Sequence, residues 1–185
     1  MSKVDGISKA LYRFRGYILG LLALTLLLLP PTPPSLPACI AALLFVSAGA
    51  LLRIRTRQYI GNHTRGSRHE AQTLVTSGPY AYTRHPLYLS NTIVALGFIL
   101  FHAGLTPCTM AYACAVVAFE ITLARIEDRF LEDKFGDQWR SWAKGNKPKS
   151  VQKPERSFLK AFCADASTWM WLIFYNLILV LVKFY

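Results

Sequence analysis

Two short stretches of this 185-residue chain carry residue types that could do chemistry together. The first is Thr73-Leu74-Val75-Thr76-Ser77-Gly78-Pro79-Tyr80-Ala81-Tyr82-Thr83-Arg84-His85-Pro86-Leu87-Tyr88. Gly78-Pro79 marks a turn, and Pro86 suits the first position of a helix. The start of that helix offers free N–H groups and the positive end of a dipole, which can hold an anionic ligand group. Arg84, His85 and Tyr88 crowd round the same end. The second stretch is Glu127-Asp128, followed by Leu131, Phe135-Gly136 and Trp139, on a helix that Gly136 should stop. Paired acids at a helix end can receive an ammonium group or ribose hydroxyls. Each stretch also has a plainer reading. Arg84 and Tyr88 suit interfacial anchors with His85 an incidental cap, and the acids suit solvated partners of Arg125, Arg129 and Lys134 at helical spacing.

The elements that must position these stretches are apolar blocks. Hydrophobic residues make up 53% of the chain and charged ones 17%, and the charges avoid the blocks, which points to membrane spans rather than a soluble core. Five spans are expected, over residues 16–29, 36–52, 86–101, 106–123 and 169–182. The first two should form a hairpin round Pro30-Pro31-Thr32-Pro33-Pro34, which no helix can continue. Ala41, Ala42, Ser47, Ala48, Gly49 and Ala50 in the second span permit close helix approach in lipid. The third and fourth form another hairpin round Gly104 and Pro107. Trp169, Trp171, Phe174 and Tyr175 form an aromatic belt at the entry of the last. The expected fold is all-α, a polytopic transmembrane bundle in one domain with a cofactor pocket on its cytoplasmic side. Its parts are an N-terminal hairpin (1–52), a core (68–142) and a C-terminal span (166–185).

The net charge of +11 suggests nucleic acid only until its distribution is read. Four basic residues precede the first span (Lys3, Lys9, Arg13, Arg15). Six lie between the second and third (Arg53, Arg55, Arg57, Arg65, Arg68, Arg84), and ten follow the fourth, between Arg125 and Lys160. Lys183 alone stands at the far end, and neither hairpin turn carries any charge. Excess Lys and Arg on one side is the orientation signal of a membrane protein, so both N-terminus and site are expected in the cytoplasm, with no nucleic-acid partner. Cys39, Cys108, Cys114 and Cys163 show no metal-ligand or disulfide spacing, so no metal is expected. The basic start followed by an apolar run lacks a small-residue cleavage site, and no terminal Cys offers a prenylation signal.

In order and spacing, the run from Thr73 to Tyr88, two spans, then an acidic pair and Phe135-Gly136 resembles the isoprenylcysteine carboxyl methyltransferase family. The broader group includes phospholipid N-methyltransferases. The resemblance covers about 68–142, leaving the first hairpin and last span outside. It implies S-adenosylmethionine as cofactor, with contacts from Thr73, Leu74, Val75, Tyr80, His85, Pro86, Leu87, Tyr88 and Glu127. Gln72 stands where the isoprenylcysteine enzymes often have His and can still hydrogen-bond. In this picture the cofactor carboxylate meets His85 and the helix end, and its amino group meets Glu127, with Asp128 beside it. Tyr80 or Tyr88 offers the sulfonium an aromatic face. Arg84 and Glu127 are the candidate catalytic residues. Methyl transfer is an in-line displacement that depends on positioning and requires neither a metal nor a covalent nucleophile.

The pattern departs from the isoprenylcysteine enzymes at one place. Their substrate-carboxylate arginine, four residues before the cofactor-binding Glu, is here Leu123. Arg125, two residues on, points about 200° away round a helix. The acceptor class therefore stays open: carboxyl O-methylation or amine N-methylation of a lipid-like or prenylated molecule entering from the bilayer. Arg125, Asn91 and Glu120 are the candidate substrate-binding residues. Glu120 is an acid at membrane depth, which favours function, although an interfacial place near the span end suits it too. His63 and His69 suit solvated loop positions, and His102 belongs to the opposite face. Two other classes compete. Membrane reductases of the sterol type, which use NADPH, carry an Arg-His-Pro-Asn-Tyr-like run, but here Leu87 replaces the Asn, and Ser90 and Asn91 follow where a glycine and an acid are usual. A non-catalytic membrane scaffold would keep the fold alone.

Overall fold

The computed structural model describes residues 3–33, 35–60, 73–145 and 152–184. Among these all regular structure is helical: α1 (Lys3–Leu26), α2 (Leu36–Tyr59), a 3-10 turn (Gly78–Ala81), α3 (Pro86–Ala103), α4 (Pro107–Phe135), α5 (Asp137–Ala143), α6 (Phe158–Cys163) and α7 (Ala166–Phe184). The helices start where the side chains dictate. Ser35 accepts from the Ala38 N–H at α2, Thr106 and Thr109 cap α4 reciprocally, and Pro occupies the first turn of α2, α3 and α4. Gly104 and Gly136 close α3 and α4 at positive φ (62° and 52°), a conformation that costs glycine least.

Among the described residues four helices, α2, α3, α4 and α7, are long and apolar enough to cross a membrane. The chain is an integral membrane protein. The expected first span falls short of that measure: α1 ends at Leu26, and its first half carries Lys9, Arg13 and Arg15. Its apolar half is nonetheless built into the bundle. Leu26 packs with Val94, Phe98, Ile99, Tyr175 and Leu179 in the principal core. The Tyr112 and Tyr175 hydroxyls donate to the Leu22 and Ala23 carbonyls of α1, satisfying polar atoms that lipid cannot. Tyr175, expected in an aromatic belt, is thus buried, while Trp171 and Phe174 remain exposed.

The first hairpin is also differently arranged. Of the small residues of α2, Gly49 and Ala42 are buried and meet α3, whereas Ser47 and Ala48 are exposed; α1 packs on α4 and α3. A Cβ on Gly49 would stand 2.6 Å from Val94 Cγ2 and 2.9 Å from the Ser90 carbonyl oxygen. One on Gly97 would stand 2.8 Å from Val46 Cγ2 and 3.0 Å from the Ala42 carbonyl oxygen. Glycine on each helix therefore admits the backbone of the other, the packing that lipid favours in the absence of a hydrophobic drive between helices.

The two turns meet at the end of the bundle away from most of the charge. The Thr32 N–H donates to the His102 carbonyl (2.9 Å), and His102 Nε2 lies 3.0 Å from the Leu29 carbonyl. Lys183, the cation that stood apart in the sequence, donates to the carbonyls of Thr32 (2.8 Å) and Phe101 (2.6 Å). It closes the ends of a turn and a helix, so its placement has a structural cause.

Candidate active site

The remaining charge gathers at the opposite end, where α2 finishes, α3 begins and α4 emerges. Residues 73–77 run without helix into the Gly78 turn. Gly78 has φ 62°, and an added Cβ would overlap the Tyr59 ring, so both conformation and space call for glycine. Leu74, Thr76 and Ser77 are buried, whereas Thr73 is exposed and Val75 half-buried. Pro86 opens α3 as the sequence predicts and is fully buried, with Leu87 half-buried behind it. His85 precedes it, but its ring makes no cap on α3.

Instead His85 crosses to α4, where Nε2 lies 2.8 Å from Asp128 Oδ1. Arg84 Nη1 stands 3.4 Å from the other Asp128 oxygen, and its guanidinium lies 5.9 Å from the centre of the Trp139 ring. The two chemically suggestive stretches are therefore in direct contact. One residue back, the Glu127 carboxylate makes no ion pair among the described residues. The Tyr88 phenol approaches it as a hydrogen-bond donor, and the His85 and Tyr88 rings lie 5.8 Å apart. Tyr80 and Tyr12 lie within the field of the same carboxylate. Burial pushes the Tyr80 phenol well above its ordinary value; Glu127 adds to this and Arg57 opposes it. Burial also pushes Tyr12 up to about 12, again reinforced by Glu127 and opposed by Arg15. Both phenols are therefore neutral donors at physiological pH and serve as neither base nor counter-ion.

A second polar layer lies about two turns deeper along α4. Val116, Glu120, Leu123 and Glu127 follow one another at intervals of three or four residues, on one face of the helix. Leu123 is wholly buried, and Glu120 is 3% exposed, with neither carboxylate oxygen in a hydrogen bond of normal geometry. The Asn91 amide and the Arg53 guanidinium are its polar neighbours. Arg53 itself donates to Asn91 Oδ1 (2.9 Å), Asp165 Oδ2 (2.8 Å) and Thr168 Oγ1 (3.4 Å). Arg57 pairs with the other Asp165 oxygen at 2.8 Å. Asp165, between α6 and α7, thereby fastens the last helix to α2.

The structure thus brings together Tyr80, Arg84, His85, Tyr88, Glu127 and Asp128, and sets Asn91 and Glu120 beneath them. Arg125 is exposed on α4, round the helix from Glu127. Gln72, His63 and His69 lie outside the described residues. Sequence reasoning missed Tyr12, Arg53, Arg57 and Asp165. Basic residues at the end of an apolar span read as orientation signal, and Tyr12 precedes the span it serves; only the packing of α1 on α4 carries it to Glu127. A trace existed in Asp165, an acid in a polar segment otherwise dominated by Lys and Arg.

A family model described as phospholipid methyltransferase matches residues 37–138, more than half of the chain. The chain belongs to that family. The match runs from α2 into α5, so it takes in the second helix, which the sequence resemblance had left outside, and still omits α1 and α7. That description fits the methyltransferase reading better than a reductase or a scaffold. The chain also resembles the cobalt-zinc-cadmium resistance protein CzcN of Cupriavidus metallidurans, 41% identical over 66 residues. That stretch is 34% of this chain and 29% of the relative, so under a third of the relative's length is matched. No solved structure matches.

Proposed function

We propose that the protein transfers a methyl group from S-adenosylmethionine to a lipid-like or prenylated acceptor, at a site on the cytoplasmic side of the membrane. The observation that carries the reading is the junction of α3 with α4: His85 bound to Asp128, with Glu127 beside it facing neutral phenols. The donor set fits the amino-acid end of the cofactor. Glu127, an acid without an ion-pair partner among the described residues, would receive the ammonium group. The half-exposed Arg84 guanidinium and the free N–H groups at the start of α3 would receive the carboxylate. Tyr80 and Tyr88 present rings to a cation. When bound, the cofactor supplies an electrophilic methyl group on sulfur.

The chain's own contribution is then positional. Asp128 fixes the His85 ring, the residues from Leu74 to Ser77 fix the approach to Tyr80, and Leu123 keeps the face between Glu120 and Glu127 apolar. The acids of that face suit an amine acceptor, and the Arg53 guanidinium beside Glu120 and Asn91 suits a carboxylate, so both acceptor classes fit. Asn91 and Glu120 would line the acceptor side, reached from the bilayer between helices. The concentration of Lys and Arg at this end supports a cytoplasmic orientation.

Calorimetry on detergent-solubilised protein tests the reading. Saturable S-adenosylmethionine binding is expected, at least about 30-fold weaker in Glu127→Ala, since a charged hydrogen bond contributes about 2 kcal/mol or more. Folded wild-type protein that binds no cofactor, or equal binding by the variant, would overturn it. Transfer of labelled methyl into a lipid extract then identifies the acceptor.

A further inference from the structure

The stretch leading to the Gly78 turn has no regular structure and enters the turn through an extended Ser77 (φ −110°, ψ 171°), so its N–H and C=O groups need partners. No strand among the described residues supplies them. Gln152, beyond the segment matched by the family, does so. Its side-chain Oε1 accepts from the Thr76 N–H (2.9 Å) while its Nε2 donates to the Leu74 carbonyl (2.9 Å). One primary amide thus meets the N–H of residue 76 and the C=O of residue 74 together, as a neighbouring parallel strand would. A third bond closes the arrangement: the Gln152 backbone N–H donates to Ser77 Oγ (2.9 Å).

Gln152 is held in turn from behind. The Glu155 and Arg156 N–H groups both donate to the Gln58 carbonyl at the end of α2 (2.8 and 3.1 Å). The Gln58 side chain returns a bond to the Arg156 carbonyl (3.4 Å). Ser157 then caps α6, and Asp165 anchors the far end on Arg53 and Arg57. Residues 152–165 therefore form a strap tied to α2 at both ends, with the Gln152 amide as its contact on the 74–77 stretch.

We propose that Gln152 is a positioning residue for cofactor binding: it sets the backbone of residues 74–77, and through the Gly78 turn the place of Tyr80. The inference rests on the methyltransferase reading of the site. It assigns a role to a residue that touches neither Glu127 nor His85.

The test compares wild type, Gln152→Ala and Gln152→Glu in detergent. For S-adenosylmethionine, Gln152→Ala should weaken binding about tenfold and raise the cofactor KM by a similar factor. The acceptor KM should stay unchanged, and the thermal midpoint without cofactor should fall by no more than about 2 °C. Gln152→Glu keeps the acceptor for Thr76 but sets a carboxylate oxygen against the Leu74 carbonyl, so it should weaken binding at least as much as Gln152→Ala. Amide exchange at residues 74–77 gives a readout independent of cofactor, and Gln152→Ala should lose protection there. Wild-type protein that binds no S-adenosylmethionine would sink the cofactor reading and this inference with it, whereas wild-type binding with an unaltered, folded Gln152→Ala would sink this inference alone. Loss of exchange protection without loss of affinity would reduce Gln152 to a structural clamp and overturn the positioning role.

Discussion

Asp128 gives the sharpest test of how the two motifs work together. Its bond to His85 is short (2.8 Å), and both side chains are largely shielded, at 18% and 13% exposure. Its contact with Arg84 is longer (3.4 Å), and that guanidinium is 47% exposed. A bond to a charged group in such surroundings contributes about 1.5–3 kcal/mol. The Arg84 pair, screened by water, contributes under about 1 kcal/mol. Asp128→Ala should therefore cost mainly the His85 bond. If that bond holds the ring for the cofactor, the cost surfaces in binding, as a roughly 10- to 100-fold weaker S-adenosylmethionine affinity at about 1.4 kcal/mol per factor of ten. Asp128→Asn retains an oxygen acceptor for a His85 N–H and loses only the charge, so a neutral bond of about 1 kcal/mol survives and the loss should be nearer fivefold. Calorimetry on all three proteins, with thermal midpoints beside it, separates orientation from folding. Asp128→Ala with wild-type affinity would refute the reasoning, as would an Asn variant weaker than the Ala one.

Two other outcomes follow from packing and from charge. Gly49→Ala should destabilise the bundle by about 1–3 kcal/mol, because its methyl meets the α3 backbone at 2.9 Å. Gly20→Ala, with nothing within 4 Å of the new carbon, should be neutral or slightly stabilising; thermal melts in one detergent compare the two. At alkaline pH the raised phenols act on stability. Tyr12 ionises near 10.0 when unfolded and at about 12 when folded. The unfolded chain therefore holds fewer protons between those values, and stability, fully present below 10, should fall as the pH rises through that window. Tyr80, shifted in the same direction, adds to the fall. Midpoints measured at pH 9 and 11 for wild type and Tyr12→Phe check this, the variant being expected to lose less.

Much of this protein was written locally. Long apolar blocks, prolines and caps at their starts, and glycines at the ends of α3 and α4 fix helices through short-range geometry. The resemblance that led to the family likewise lay in a contiguous run, Thr73 to Tyr88, and one acidic pair. The partners of the helices were beyond such reading. Small residues on α2 announced a close approach without saying to which helix or by which of them, and only the fit of Gly49 and Ala42 against α3 decided it. Side-chain pairing across the fold was equally silent. His85 and Asp128 are separated by 43 positions in the chain, Arg53 and Asp165 by 112, and no periodicity couples positions so far apart. Tyr12 and Gln152 lie outside both motifs and reach the site because α1 packs on α4 and the strap is tied to α2. The sequence determined the residues able to do chemistry and the helices that carry them. The tertiary structure decided which of those residues meet, because that depends on helix faces buried against one another.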